Sequence, residues 1–436
     1  MPFVIVLSVT GTIYLFRPQI EAWQERGYDN LPNSASVTDY SSRVKAAVGM
    51  SEGLRFASIE ATSEPAAFDR ASSATRVQVQ DQAGEFSRVY VSPFDSSVLG
   101  SVRESERFTR LVRRIHGELL LGKRGSYLVE LVASWTIVMV VTGMVLWMPK
   151  RIRFFGVVVP RLGSTGKVFW KDLHSVIGFW ASGLIVFLIV TGLPWSTFWG
   201  DYYKGVRSIT GAMTNQQHWD GGHAKHKPKK SPWRTDAPDP KTYSIEEVDN
   251  AVRFAQGLDW LAPVIVEPPS DATSFWTVKS MTANRPHRQS LRYNVKTEEI
   301  VDRETFAGRH WVDQLVGQGI ALHEGQRWSN YRYGWINQLV ALFATCSLVL
   351  LSCTGVVLWY RRRDTGGLSP PPMSQDSGQG SGNDRFSLSR SALVLAVIVA
   401  LGAYLPLFGI SAIFVVVLDR VVFSRFQSLS AWLGRA

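Results

Sequence analysis

Long apolar runs alternate with long polar segments along the chain. A helix that crosses a bilayer needs about 20 mostly apolar residues. Leu128 to Met148 meets that length with Glu130 as its only charge, and so do Leu173 to Trp195 and Gly334 to Tyr360. Pro2 to Phe16 is equally apolar but shorter, and it reads as the C-terminal part of a first spanning helix whose polar end, Arg17-Pro18, is intact. The other reading of this segment, a secretory signal, would call for a basic start and a small-residue cleavage site, and neither is there. The last run, Ser391 to Phe423, is interrupted by Gly402, Pro406 and Gly409. Unbroken, it would be roughly 50 Å long. Pro406 argues for a break, which predicts a hydrophobic hairpin, tilted or re-entrant.

The polar segments read as mixed α+β. Thr38 to Val48 predicts a helix, followed by strands at Arg76–Gln80 and Ser87–Val91 around a turn at 82–84. Ser244 to Phe254 predicts a second helix, opened by a capping box in which Ser244 stands three residues before Glu247. Val264–Glu267, Phe275–Lys279 and Gln289–Val295 then read as strands. Each segment is therefore expected to form a helix packed on a small antiparallel sheet. Residues 214–241 read as an exposed linker and 365–384 as a flexible loop.

Composition agrees with a membrane protein. The 436 residues are 45% apolar and only 19% charged, against roughly 25% charged for a soluble domain. Global disorder is excluded, because it needs low hydrophobicity. The two cysteines, Cys346 and Cys353, lie in one apolar run, too far apart along a helix to pair. The net charge of +11 could signal nucleic acid. The positive charges instead cluster beside the apolar runs: Lys150, Arg151, Arg153, Arg161, Lys167 and Lys171 in one short loop, and Arg361, Arg362 and Arg363 after the last long span. Short loops rich in Lys and Arg stay cytoplasmic, which predicts that both α+β segments lie on the other side, the periplasm of a bacterial inner membrane. No nucleic-acid partner is expected.

The predicted organisation is a truncated first helix at 1–17 and a first extracytoplasmic module at 18–124. A second helix at 125–149, a basic loop at 150–172 and a third helix at 173–196 come next. A second module at 197–330 and a fourth helix at 331–360 follow, then a cytoplasmic linker at 361–390, the hairpin at 391–424 and a tail at 425–436. The fold class is an α-helical polytopic membrane protein with two small α+β extracytoplasmic modules.

Three histidines carry the candidate chemistry. His116 precedes the second span and His323 the fourth, both on the outer side, and His174 sits at the cytoplasmic start of the third; each has a glycine within four residues. Histidine at a membrane edge is expensive and has a partner. Imidazole is also an axial ligand of b-type haem. Each one taken alone reads as an interfacial side chain hydrogen-bonded to its neighbours; three in matching surroundings favour haem. His116 and His323 fall at one level and are expected to share an outer haem, whereas His174 needs a partner at the inner level. Arg309 reads either as a partner for a haem propionate or as a surface charge. His218, His223 and His226 lie in the polar linker, where the choice is between a weak surface metal site and none, and His287 lies in a basic loop. The tryptophans near the span ends read as an aromatic belt, some with room to flank a porphyrin.

Several stretches resemble the PepSY-associated transmembrane family. They are VSPFDSSVLG with RRIHGELLLGKRG, LVELVASWTIVMVVTGMVLWMPK, FWKDLHSVIGFW with TGLPWSTFWG, and GRHWVDQLVGQGIALHEGQRW with TGVVLWYRRR. YSIEEVDNAV and the strand-turn RYNVKTEEIV fit PepSY-like modules. The family includes inner-membrane proteins that reduce ferric siderophores. The resemblance therefore implies haem ligation at His116, His174 and His323, and a further histidine early in the first span, upstream of where this chain starts. From these follow the expected cofactor, one or two haem b groups, and an oxidoreductase that passes electrons from an inner haem near His174 to an outer haem held by His116 and His323, and so to a ferric siderophore. No GxGxxG fingerprint is present, so the electron donor is expected to be separate, a quinone or a reductase. The alternative is a non-enzymatic membrane protein whose PepSY-like modules bind a periplasmic partner such as a peptidase. A transporter is disfavoured, because the spans hold almost no ionisable residues besides Glu130.

Overall fold

The computed structural model describes all residues except 33–36, 62–72, 148–154, 162, 210–242, 270–274, 362–394, 422–424 and 427–436. His218, His223 and His226, the flexible loop, the C-terminal tail and part of the basic loop lie outside the described residues. The chain divides into two compact units. One comprises residues 1–12, 116–206 and 341–436; the other comprises 13–115 and 207–340.

The first unit is helical. It contains most of α1 (Pro2–Leu15), α5 (Lys123–Trp147), α6 (Gly166–Gly192), α7 (Thr197–Ile209), the greater part of α10 (Trp335–Arg361), α11 (Leu395–Tyr404) and α12 (Pro406–Val421). Among the described residues α5, α6 with its 3-10 extension to Trp195, and α10 are long and apolar enough to cross a bilayer. α1 reaches that length only together with α2 (Arg17–Glu25), from which a sharp bend separates it. α6 starts at Gly166, not at the predicted Leu173, because Lys167, Lys171 and Asp172 extend the helix without interrupting it. Arg161 donates from Nε and Nη2 to the buried Asp172 carboxylate at 2.6 and 2.8 Å.

Pro406 ends one apolar helix and starts the next, as its missing N–H requires. A Cβ built on Gly409 would lie 2.7 Å from the Gly402 carbonyl oxygen. Only glycine permits that approach, which folds α11 close against α12. Leu405 and Phe408 then pack with Ile137, Val138, Leu193 and Trp199 into the core of this unit. Trp135 stacks edge-on against Phe408 and donates from Nε1 to Ser411 Oγ at 3.1 Å. Cys346 and Cys353 are free thiols.

The second unit is built on one antiparallel sheet of eight strands in the order β4-β3-β2-β1-β5-β6-β7-β8. These are β1 (Arg55–Ala61), β2 (Thr75–Gln80), β3 (Phe86–Val91), β4 (Val98–Arg103), β5 (Val264–Glu267), β6 (Phe275–Ser280), β7 (Gln289–Asn294) and β8 (Glu299–Thr305). The predicted helices are α3 (Tyr40–Gly49) and α8 (Glu247–Gln256). Each helix precedes four strands, so the chain repeats one αββββ plan. The two sheets expected separately are joined by a central pairing, Ile59 with Val266 and Ala61 with Val264. α3 and α8 lie together over one core that includes Val44, Phe56, Ile59, Val77, Val252, Val266 and Trp276. Asp249 Oδ1 accepts from the backbone N–H of Tyr40 and Ser41 at 2.7 and 3.2 Å, so one helix caps the start of the other. The predicted capping box does not form: the Ser244 hydroxyl bonds Glu246 and the helix begins at Glu247. α2 packs on the first half of the sheet through the stack of Tyr28 on Tyr90 and the ion pairs of Arg76 with Glu25 and Asp29. α4 (Phe108–Glu118) and α9 (Trp311–His323) follow the two sets of strands.

Candidate functional site

Within the helical unit His116 and His174 are held in the same way. The Nδ1 of His116 is 3.0 Å from the carbonyl oxygen of Leu7 and 3.2 Å from Thr10 Oγ1. A carbonyl only accepts, so Nδ1 carries a proton here. The Thr10 hydroxyl gives its own hydrogen to Val6 O at 2.7 Å. A Cβ at Gly11 would sit 3.1 Å from the ring carbon Cε1 of His116, so the missing side chain makes room for the imidazole.

His174 repeats the arrangement on another helix. Its Nδ1 is 2.8 Å from Thr354 Oγ1. Thr354 donates to Leu350 O at 2.7 Å, which leaves its oxygen as the acceptor and again places the ring proton on Nδ1. A Cβ at Gly355 would lie 3.7 Å from His174 Cε1 and 3.9 Å from the Met1 methyl carbon, so the start of α1 reaches this ring.

The two rings stand at different depths. Gly11 and Met1 are about 15 Å apart along α1. α10 keeps the same spacing in the opposite direction, since Thr12 donates to Thr345 Oγ1 at 2.8 Å while Thr354 faces His174.

Thr10-Gly11 and Thr354-Gly355 belong to a set of four Thr-Gly pairs, one in each of the first four apolar segments; the others are Thr142-Gly143 and Thr191-Gly192. All four threonines return their hydroxyl to the carbonyl four residues back, at 2.7 or 2.8 Å. In an apolar helix that bond satisfies the hydroxyl and turns its oxygen into an acceptor. The glycines beside the histidines in the chain are not the ones that meet the rings. Gly117 has nothing within 4 Å of a built Cβ, Gly178 meets Leu351, and Gly325 meets Leu15 and Gln338. The glycines that touch the rings come from other helices. The recurring Thr-Gly dipeptide was the signal that could have found them.

His323 is the last residue of α9 in the sheet-bearing unit, followed by Glu324 at the helix end. Arg309 donates from Nε to Glu304 Oε1 at 2.9 Å and lies over the Phe306 ring. His310 accepts the Val312 N–H on Nδ1 and caps the start of α9. His287 stacks edge-on with Tyr331. Glu130 is buried, and one carboxylate oxygen accepts from the backbone N–H of Phe198 and Trp199 at 3.1 and 3.2 Å, while Ser126 Oγ accepts from Thr197 N–H. It thus caps the start of α7 in the apolar unit, where an anion is favoured.

Residues 1–362 match the family described as PepSY-associated TM region. The chain belongs to the PepSY-associated transmembrane family. No curated protein matches the chain. This PepSY-associated protein is a membrane protein, with three candidate apolar spans among the described residues.

The donor chemistry at His116 and His174 fits haem iron. Metal-bound histidine donates its second ring N–H to a protein acceptor, which fixes the ring and raises its basicity. Both rings do this, each in apolar surroundings and each against a glycine. No group of three or more His, Cys, Asp or Glu that could hold a bare metal ion occurs among the described residues.

Proposed function

We propose that this PepSY-associated protein carries haem b in its helical unit and passes electrons outward across a bacterial inner membrane to ferric siderophores in the periplasm. The observation that carries the reading is the matched pair of imidazoles, each with Nδ1 held by an acceptor on another helix and each against a glycine, about 15 Å apart in depth. Bound haem b supplies one-electron transfer. The chain supplies the rest. His116 and His174 offer the axial nitrogens. Leu7 O and the Thr354 hydroxyl hold those nitrogens in one tautomer. Gly11 and Gly355 let the rings lie against neighbouring helices, and the apolar spans exclude water. The pairing of His116 with His323 rests on their matching positions before outer-side spans in the sequence. Reduction releases siderophore iron because ferrous iron binds hard oxygen donors more weakly. Electrons arrive from a separate donor, a quinone or a reductase.

The test is the absorption spectrum of the purified protein with a pyridine haemochrome count. A Soret band that shifts on dithionite reduction is expected, with one or two haems per chain. His116→Ala and His174→Ala are each expected to lower the count. A colourless protein from haem-replete cells overturns the proposal and leaves the partner-binding role of the PepSY-like sheet.

A further inference from the structure

The sheet-bearing unit also holds an arginine cluster. Thr109 on α4 donates to Glu21 on α2 at 2.6 Å, and Arg17 pairs with Glu21 one turn earlier at 3.1 Å. Arg113 lies one turn beyond Thr109 on the same face of α4, which brings it toward Arg17. The α2 end of this group is anchored to the turn after α9: Gln326 donates to Leu15 O at 3.1 Å, and Gly325, at φ +69°, packs against Leu15. In that turn Glu324 receives both Nε and Nη2 of Arg285, at 2.8 and 2.9 Å. Arg288 follows, its Nε–H committed to Thr282 O at 2.8 Å. Four guanidinium groups, Arg17, Arg113, Arg285 and Arg288, therefore converge on two carboxylates, Glu21 and Glu324. Glu21 is also shared with Arg107.

Glu21 and Glu324 compensate the positive charge only in part. The Arg113 side chain has no ion pair or hydrogen bond among the described residues. Burial pushes its guanidinium down, and Arg110 and Arg17 push it further. Burial likewise lowers Arg288, to about 9, with Arg285 and Arg17 adding to it. Each of the four still keeps part of its surface open to solvent. Converging guanidinium forks that keep part of their surface open to water are the arrangement that holds carboxylate or phosphate oxygens.

We propose that this arginine cluster is an anion site for a polyanionic small molecule bearing carboxylate- or phosphate-type oxygens, and that the molecule is an anionic ferric chelate. The second half of the statement rests on the reductase reading; the first half does not. An anion placed among Arg17, Arg113 and Arg288 relieves their mutual repulsion, and Glu324 keeps Arg285 aligned beside it.

The probe is gallium(III) citrate, a redox-inert stand-in for an anionic ferric chelate, titrated calorimetrically into the full chain in nanodiscs of zwitterionic lipid. Binding is expected, weakening steeply with salt. Arg113→Gln and Arg288→Gln are each expected to weaken it about tenfold or more, with Arg288→Lys retaining an intermediate affinity. A neutral gallium hydroxamate is expected to bind far more weakly. Absence of binding by the folded wild type, equal affinity in the glutamine variants, or equal affinity for the neutral chelate overturns the proposal. If phosphatidylglycerol in the nanodisc blocks citrate in wild type, and the glutamine variants lose lipid binding too, the anion site stands with a headgroup phosphate as its occupant. Binding that emerges only after haem extraction assigns the cluster to haem propionates and overturns the chelate. The readout needs no electron transfer, so intact binding in a protein without haem removes the reductase reading alone.

Discussion

The imidazole Nδ1 of His174 on α6 lies 2.8 Å from Thr354 Oγ1 on α10, a residue 180 positions away. The threonine hydroxyl is already returned to its own helix, so the contact decides which ring nitrogen bears the proton. Thr354→Val keeps the shape and removes the acceptor. Under the haem proposal the variant is expected to lose about tenfold or more in haem affinity and to shift the midpoint potential of the remainder, while Thr354→Ser restores both. Redox titration with haem quantification checks this; wild-type values in the valine variant would show that the hydroxyl does not orient the ring.

Gly11 faces His116 Cε1 at 3.1 Å from a built Cβ. Alanine there needs a shift of a few tenths of an ångström, whereas leucine has no room without moving the ring. A graded loss of haem, slight for Gly11→Ala and near complete for Gly11→Leu, is the expected outcome of a pyridine haemochrome assay. Leucine tolerated at full haem content would separate this glycine from His116.

Glu130 holds the N–H groups of Phe198 and Trp199. Glu130→Ala leaves buried donors unsatisfied and is expected to destabilise the helical unit by about 1–3 kcal/mol. Glu130→Gln keeps an accepting oxygen and loses less. Thermal unfolding in detergent ranks the three. A transport role for Glu130 would instead show as lost activity at unchanged stability.

Glu324 gives the sheet-bearing unit a pH dependence. Burial by itself would raise its carboxyl, yet Arg285, Arg288 and Arg17 hold it at about 2, below the usual 4.5. A carboxyl depressed in the folded state contributes stability above its unfolded value. That contribution, about 3 kcal/mol, fades as pH falls from near 4.5 toward 2. Tryptophan fluorescence against pH is expected to show this acid loss in wild type and to show it flattened in Glu324→Gln.

The order of apolar and polar segments was legible, because a span of about 20 apolar residues and a period-two strand are properties of contiguous sequence. Leu128–Met148 and Gly334–Tyr360 correspond closely to α5 and α10, and five strands stand where alternation placed them. β1, β4 and β8 went unread. β1 gains its identity from β5, about two hundred residues later, and that pairing fuses two expected sheets into one.

By itself, then, the sequence determined that the chain is a membrane protein with α+β segments between its spans, and which histidines stand at the span ends. Hydrophobic length and charge asymmetry are local quantities that need no fold. What surrounds each ring was decided only by tertiary structure. Leu7, Thr10 and Gly11 meet His116, and Thr354 and Gly355 meet His174, because separate helices pack at matching depths. The arginine cluster also exists only once α2, α4 and the turns at 285 and 324 converge. Such contacts depend on helix rotation and register, and packing sets those where no single segment can encode them.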